Sequence, residues 1–215
     1  INKMIHKIET EKADASIAIG YGVVDATAAT TGQISSIAFP DNKEDIYLSW
    51  IGAGLGIGVV GGLTILFNHE QILLDIFEGW HYYRQYLEKN PLLKGNQINT
   101  WNGRWISQRY DREYDSDDPL MNFNPLVPMS DGLFNLQTVP WAEVIAGIAR
   151  NNRTSNMVGY LYSIGQTNTT VGFIPFKLQD IIRPSQLYAK IFGESVWMQN
   201  RKKVEALYGT AIGLR

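Results

Sequence analysis

The acidic run Asp111, Glu113, Asp115, Asp117 and Asp118 (DREYDSDD) is the densest set of candidate ligands in the chain. Carboxylate oxygens suit hard cations such as calcium, magnesium and manganese. A metal-dependent, nuclease-like enzyme would draw on two or three of them. The run departs from the EF-hand pattern, because no glycine holds the sixth position and no glutamate closes a twelve-residue loop. The preferred reading is a solvated loop, with Asp111, Glu113, Asp115 and Asp117 kept as candidate metal ligands. Glu78 and His81 have the Glu-x-x-His spacing of di-iron helices, but those sites need a second pair and two further carboxylates. His69-Glu70 does not extend to a zinc-binding H-E-x-x-H, since position 73 is Leu. Glu78 and His81 therefore read as polar groups on a solvated helix face.

A second constellation interleaves indoles with guanidinium groups: Trp101, Arg104, Trp105, Arg109 and Arg112. Such residues stack bases and grip phosphates on single-stranded nucleic acid. They equally pack as cation–π pairs inside a domain or at an interface, which is the preferred reading. Arg201-Lys202-Lys203 adds a basic cluster near the C-terminus, either a solvated face or a phosphate contact. Trp101, Arg104, Trp105, Arg109, Arg201, Lys202 and Lys203 are the candidate interaction residues. No nucleophile elbow, Walker loop or Ser/His/Asp set is present, and no cofactor is implied.

Between these clusters and the N-terminus, residues 46–68 carry no charged side chain, and six glycines fall within residues 52–62. Three readings compete. An uncharged stretch of this length can cross a bilayer core of about 30 Å. Tyr47 and Trp50 stand at one end, with Trp80, Tyr82 and Tyr83 beyond the other, as at membrane interfaces. The run GAGLGIGVVGG resembles the glycine-rich helix of rotary ATP synthase ring subunits. It lacks their carboxylate-bearing second helix, so the likeness is one of packing device. The second reading is a buried strand pair, in which glycines at 52, 54, 56 and 58 bare one face of a strand, where another backbone can approach. Each glycine also penalises a water-exposed helix by about 1 kcal/mol. In the third, Gly56 to Gly61 matches the dinucleotide pattern G-x-G-x-x-G, which demands a strand before it and a helix after it.

The elements that must position these groups are predicted as follows. Residues 1–13 form a short helix or arm, 15–24 lean to strand, and 26–36 form a loop or strand edge. Residues 40–45 make a turn with an acidic exit. Residues 70–89 are the clearest amphipathic helix, burying Ile72, Leu73, Ile76, Phe77, Trp80 and Tyr83, and ending before Pro91. Residues 98–114 contain a second helix. About 115–140 is a long irregular connection wrapped over something larger. A helix enters at Pro140 and covers 141–150. Strands at 157–163 and 169–176 make a hairpin. Helices follow from Pro184 to Phe192 and from Val196 to Leu207.

The chain of 215 residues is 45% hydrophobic and 19% charged, which suits a packed core rather than disorder. Its net charge of -2 lacks the basic balance of a duplex-binding protein. The 183–215 stretch alone has a balance of +4. Without cysteine, disulfides, thiolate catalysis and cysteine-ligated metals are excluded. No signal-peptide pattern opens the chain, and the ending GTAIGLR carries the expectation that the native chain continues. The expectation is a single α+β domain, with several helices, a small antiparallel sheet and the glycine-rich segment at its centre. Its expected role is a non-enzymatic interaction subunit of a larger assembly, with other protein subunits as partners. The alternatives are a membrane-anchored subunit spanning with 46–68 and a metal-dependent enzyme using the loop 111–118. Single-stranded nucleic acid within a complex stands as a further partner. Localisation, cytoplasmic or membrane-associated, is left open.

Overall fold

Amphipathic helices need an apolar surface to cover, and here a four-stranded antiparallel sheet supplies it. The computed structural model describes residues 2–13, 17–18, 42–152, 156–163 and 169–211. Their helices are α1 (Asn2–Thr10), α2 (Lys43–Gly54), α3 (Glu70–Lys89), α4 (Ile98–Arg109), α5 (Trp141–Asn151), α6 (Leu178–Phe192) and α7 (Glu194–Ala211). The strands are β1 (Ile57–Val59), β2 (Leu63–Phe67), β3 (Leu126–Pro128), β4 (Phe134–Leu136), β5 (Asn156–Ser163) and β6 (Thr169–Lys177). The main sheet runs β1-β2-β5-β6, and β3-β4 is a separate pair. This is the expected α+β class. In the main sheet Ile57 pairs with Ile65 and Ile65 with Leu161, which puts their side chains on one face. Together with Phe67, Met157 and Phe176 they join Ile72, Ile76, Ile106 and Ile145 in one buried cluster. A smaller cluster holds Ile8, Ile17, Ala18 and Ile46 between α1 and α2.

The charge-free segment does not form one helix. Asn42 caps α2 by accepting a hydrogen bond from the Glu44 amide (3.1 Å), and Glu44 and Asp45 favour its positive end. Residues 43–45, expected in a turn, are thus the first helical turn. The helix stops at Gly54, and residues 57–67 fold back as the β1–β2 hairpin. Its turn holds Gly61 and Gly62 at φ of 98° and 74°, a left-handed conformation that side chains resist. The strand-pair reading therefore holds for residues 57–67, while Gly52 and Gly54 lie in the helix. The span reading of 46–68 fails at the same break. Among the described residues no helix is long and apolar enough to cross a membrane. The dinucleotide reading fails as well, because a strand and not a helix follows Gly61.

Helix α3 has the expected bounds but a shifted inner face. Ile72, Asp75, Ile76, Gly79 and Tyr83 are buried, whereas Phe77 is 59% exposed. Leu73 and Trp80 are half-buried. The shift follows from α4, whose Trp105 lies where a side chain on Gly79 would stand. Helix α5 and the β5–β6 hairpin stand where expected. Helix α6 begins at Leu178 and carries Pro184 inside it, contrary to a start at Pro184. Buried Leu178 and Ile181 anchor its first turn directly after β6. The connection after α4 is irregular but includes β3 and β4. It is pinned by Phe134 donating to the Leu92 carbonyl (3.0 Å) and by Leu136 donating to Gln97 Oε1 (2.7 Å). Of residues 15–24, Ile17 and Ala18 sit in a buried turn. The remainder, the 26–36 loop and the tip of the β5–β6 hairpin lie outside the described residues.

Candidate functional site

The α3–α4 crossing gathers Trp101, Arg104, Trp105 and Arg109 of the residues that the sequence singles out. Trp101 and Trp105 are both 0% exposed. Each buried indole N–H has an acceptor: Trp101 donates to the Gly79 carbonyl (2.9 Å) and Trp105 to the Asp75 carbonyl (2.7 Å). Tyr82 stacks on Trp105 at 4.8 Å, and Tyr83 and Phe123 close on Trp101 at 5.0 and 5.2 Å. These indoles are core, not a platform open to bases, so the packing reading applies. The close approach extends to β1, where a side chain on Gly103 would strike the Gly58 carbonyl. Asn99 and Asn102 of α4 complete the junction. Asn99 donates to the Ala53 and Gly56 carbonyls (2.8 and 2.9 Å), and Asn102 to those of Gly54 and Gly56 (2.7 and 2.8 Å). They satisfy carbonyls that the end of α2 leaves without helical partners.

Arg109, Arg112, Arg150 and Arg201 are held by carboxylates, and Arg109 also by a ring. Arg109 lies 3.9 Å from both Asp75 and Glu78 and 4.7 Å over the Tyr114 ring. Asp75 is buried and accepts from the Tyr110 hydroxyl (2.5 Å) and Gln71 (3.0 Å). Burial, and then that hydrogen bond to Asp75, pushes the Tyr110 hydroxyl's pKa strongly upward. Arg104 is half-buried, and its Nε finds no hydrogen-bond partner. Arg201 is ion-paired with Asp111 at 2.7 Å, and Arg112 with Glu194 at 2.8 Å. Arg150 pairs with Glu205 where both side chains are largely buried. Burial raises the Glu205 carboxyl, and Arg150 and Arg201 only partly counter it. Burial also opposes ionisation of Asp111, but the Glu113 amide and Arg201 outweigh it and hold Asp111 below the ordinary carboxylate range. Of the basic cluster, only Lys202 and Lys203 are exposed.

The acidic loop is not drawn around a common point. Asp111 faces Arg201, and Asp115 turns back to accept from the Asp117 amide (2.9 Å). Glu113, Asp115 and Asp117 are exposed. Among the described residues no group of three or more His, Asp or Glu side chains is placed to hold a metal ion. Glu78 and His81 also part: Glu78 turns to Arg109, and the His81 ring hydrogen-bonds Gln85 (2.8 Å). Two cavities of about 100 Å³ stand elsewhere. One, among α5, α6 and α7, is lined by Arg150, Glu205, Ser185 and Trp197. The other, between the sheet and α5, is walled by Val59, Leu63, Ile65, Leu161, Phe176 and Trp141. No histidine lines either one.

The sequence reading missed an exposed apolar surface at the α6–α7 corner. Leu187, Ile191 and Phe192 of α6 and Val196 and Met198 of α7 all face solvent. A signal existed. Apolar residues of α6 at 178, 181, 182 and 188 already fill one face, so Leu187 and Ile191 fall on another. Helix α2 likewise exposes Leu48 and Ile51. No family model matches the chain, and no curated protein or solved structure matches it either.

Proposed function

We propose that this chain is a non-enzymatic interaction subunit of a larger assembly. The observation that carries the reading is the apolar α6–α7 corner, where Leu187, Ile191 and Phe192 are each more than half exposed. Leu187 and Ile191 lie one turn apart on α6, and exposed apolar surface that extends beyond single residues marks sites that another molecule covers. The ion pairs support the same reading, because Asp111, Glu194 and Glu205 are engaged in holding α7 to the body. The metal-enzyme reading draws no support from the dispersed acidic loop. The single-stranded nucleic-acid reading loses its stacking residues, since Trp101 and Trp105 are buried. Gentle purification of the full-length protein from its source tests the proposal. Defined partner subunits should accompany the chain in constant ratio and be lost from an Ile191→Asp, Phe192→Ser variant. Recovery of the chain alone, or partners undisturbed by that variant, would overturn the proposal.

A further inference from the structure

We propose that the α6–α7 corner docks an acidic, amphipathic helix of another protein, an inference that rests on the interaction-subunit reading above. Leu187 and Ile191 are four residues apart on α6 and form one ridge, exposed by 56% and 62%. Phe192 and Val196 lie within three residues of Gly193, where the chain turns from α6 into α7. Gly193 has φ of 89°, which lets both helix ends present apolar residues at one corner.

The surface is held ready from behind. Tyr188 packs on Phe192 at 4.6 Å and lies 6.3 Å from Trp197, which is buried. Arg112–Glu194, Arg201–Asp111 and Arg150–Glu205 tie α7 to the preceding elements. A preformed surface loses little conformational freedom when a partner arrives.

Charge identifies the occupant. Arg183, Leu187, Lys190 and Ile191 follow one side of α6 at helical spacing, and Lys203 shares a side of α7 with Val196. Arg183, Lys190 and Lys203 are exposed and take part in no ion pair among the described residues. Two acids border the ridge, Glu194, engaged by Arg112, and exposed Asp180 at the far end of α6, so the three cations leave the border net positive. A partner with a negative rim is attracted to this border, whereas a basic partner meets like charge. The corner itself is built from two helices, so side-chain ridges are what a partner can read there. A membrane surface is disfavoured because Asp180, Arg183 and Lys190 interrupt the apolar side of α6. Interfacial helices carry a continuous apolar face.

The test places a photoreactive benzoylphenylalanine at Leu187 or Ile191 in the full chain in its native cells. Crosslinked peptides are then sequenced by mass spectrometry. The expected product is one partner segment with apolar residues at helical spacing and net negative charge. Lys190→Glu with Lys203→Glu should lower its yield about tenfold or more and leave the melting temperature in place. Crosslinks to a neutral or basic segment, to lipid or to a second copy would overturn the inference, as would a yield indifferent to charge reversal. If partners co-purify but no crosslink forms at 187 or 191, this face is wrong and the interaction role stands. If the chain purifies alone, both fall.

Discussion

At the α3–α4 crossing, Trp101 and Trp105 are sealed from solvent and each indole N–H reaches a backbone carbonyl. At the α6–α7 corner, Leu187, Ile191 and Phe192 face water although they are just as apolar. The crossing can close because Gly58, Gly79 and Gly103 remove the side chains that would keep its backbones and rings apart. The corner has no such partner among the described residues. Apolar composition alone therefore distinguishes neither region; the presence of a complementary surface does.

The largest expected effect lies at the crossing. Trp101→Ala removes a fully buried indole and should destabilise the protein by about 3–5 kcal/mol in a denaturant melt. A loss below 1 kcal/mol would mean that the crossing is not tightly closed. Gly103→Ala tests the same closure from the opposite direction. Its methyl meets the Gly58 carbonyl and Val139, which cannot both retreat, so about 1–3 kcal/mol should be lost. A neutral result would break the argument for backbone-to-backbone approach.

Between the two regions stand the ion pairs, and they respond to pH with opposite signs. Asp111 has a lowered pKa when folded, so its contribution is present above the ordinary aspartate value and fades as pH falls through the folded value. Asp111→Asn should cost about 1 kcal/mol at neutral pH, discounted for partial exposure, with the difference vanishing in acid. Glu205 has a raised pKa when folded, so its titration adds stability as pH falls through that value towards the ordinary glutamate range. Relative to the parent, Glu205→Gln should therefore lose ground as pH falls towards the ordinary glutamate value, whereas Asp111→Asn should gain ground only as pH falls below the ordinary aspartate value. Deviations of the same sign would show that one of the two environments is misassigned.

The smallest effects belong to exposed positions. Phe77→Ala should cost less than about 1 kcal/mol, although Phe77 matches the apolar spacing of α3. Ile191→Asp should leave stability within about 0.5 kcal/mol while altering association. A large loss in either variant would show that a surface described as open is covered in the isolated chain.

Elements whose signals are local can be read from the residues alone. The apolar period of residues 70–89 and its stop before Pro91, the entry of α5 at Pro140, and the alternation of β5 and β6 all depend on neighbours within a turn or a hairpin. The wrapped connection around 115–140 was legible from its prolines, though not its β3–β4 pairing. Tertiary structure decided the rest. Residues 46–68 have glycine spacings compatible with helix, strand or loop. The break after Gly54 is held by Asn99 and Asn102, which lie more than forty residues away in the chain. The inner face of α3 includes Asp75 and Gly79 because Trp105 and Tyr110 meet them there, a contact that no hydropathy pattern encodes. Trp101, Trp105 and Arg201 have the residue types of a binding surface, yet distant backbone carbonyls and Asp111 turn them inward. Local periodicity sets which side of a helix is apolar; only packing between remote segments decides which apolar side is buried and which remains for a partner.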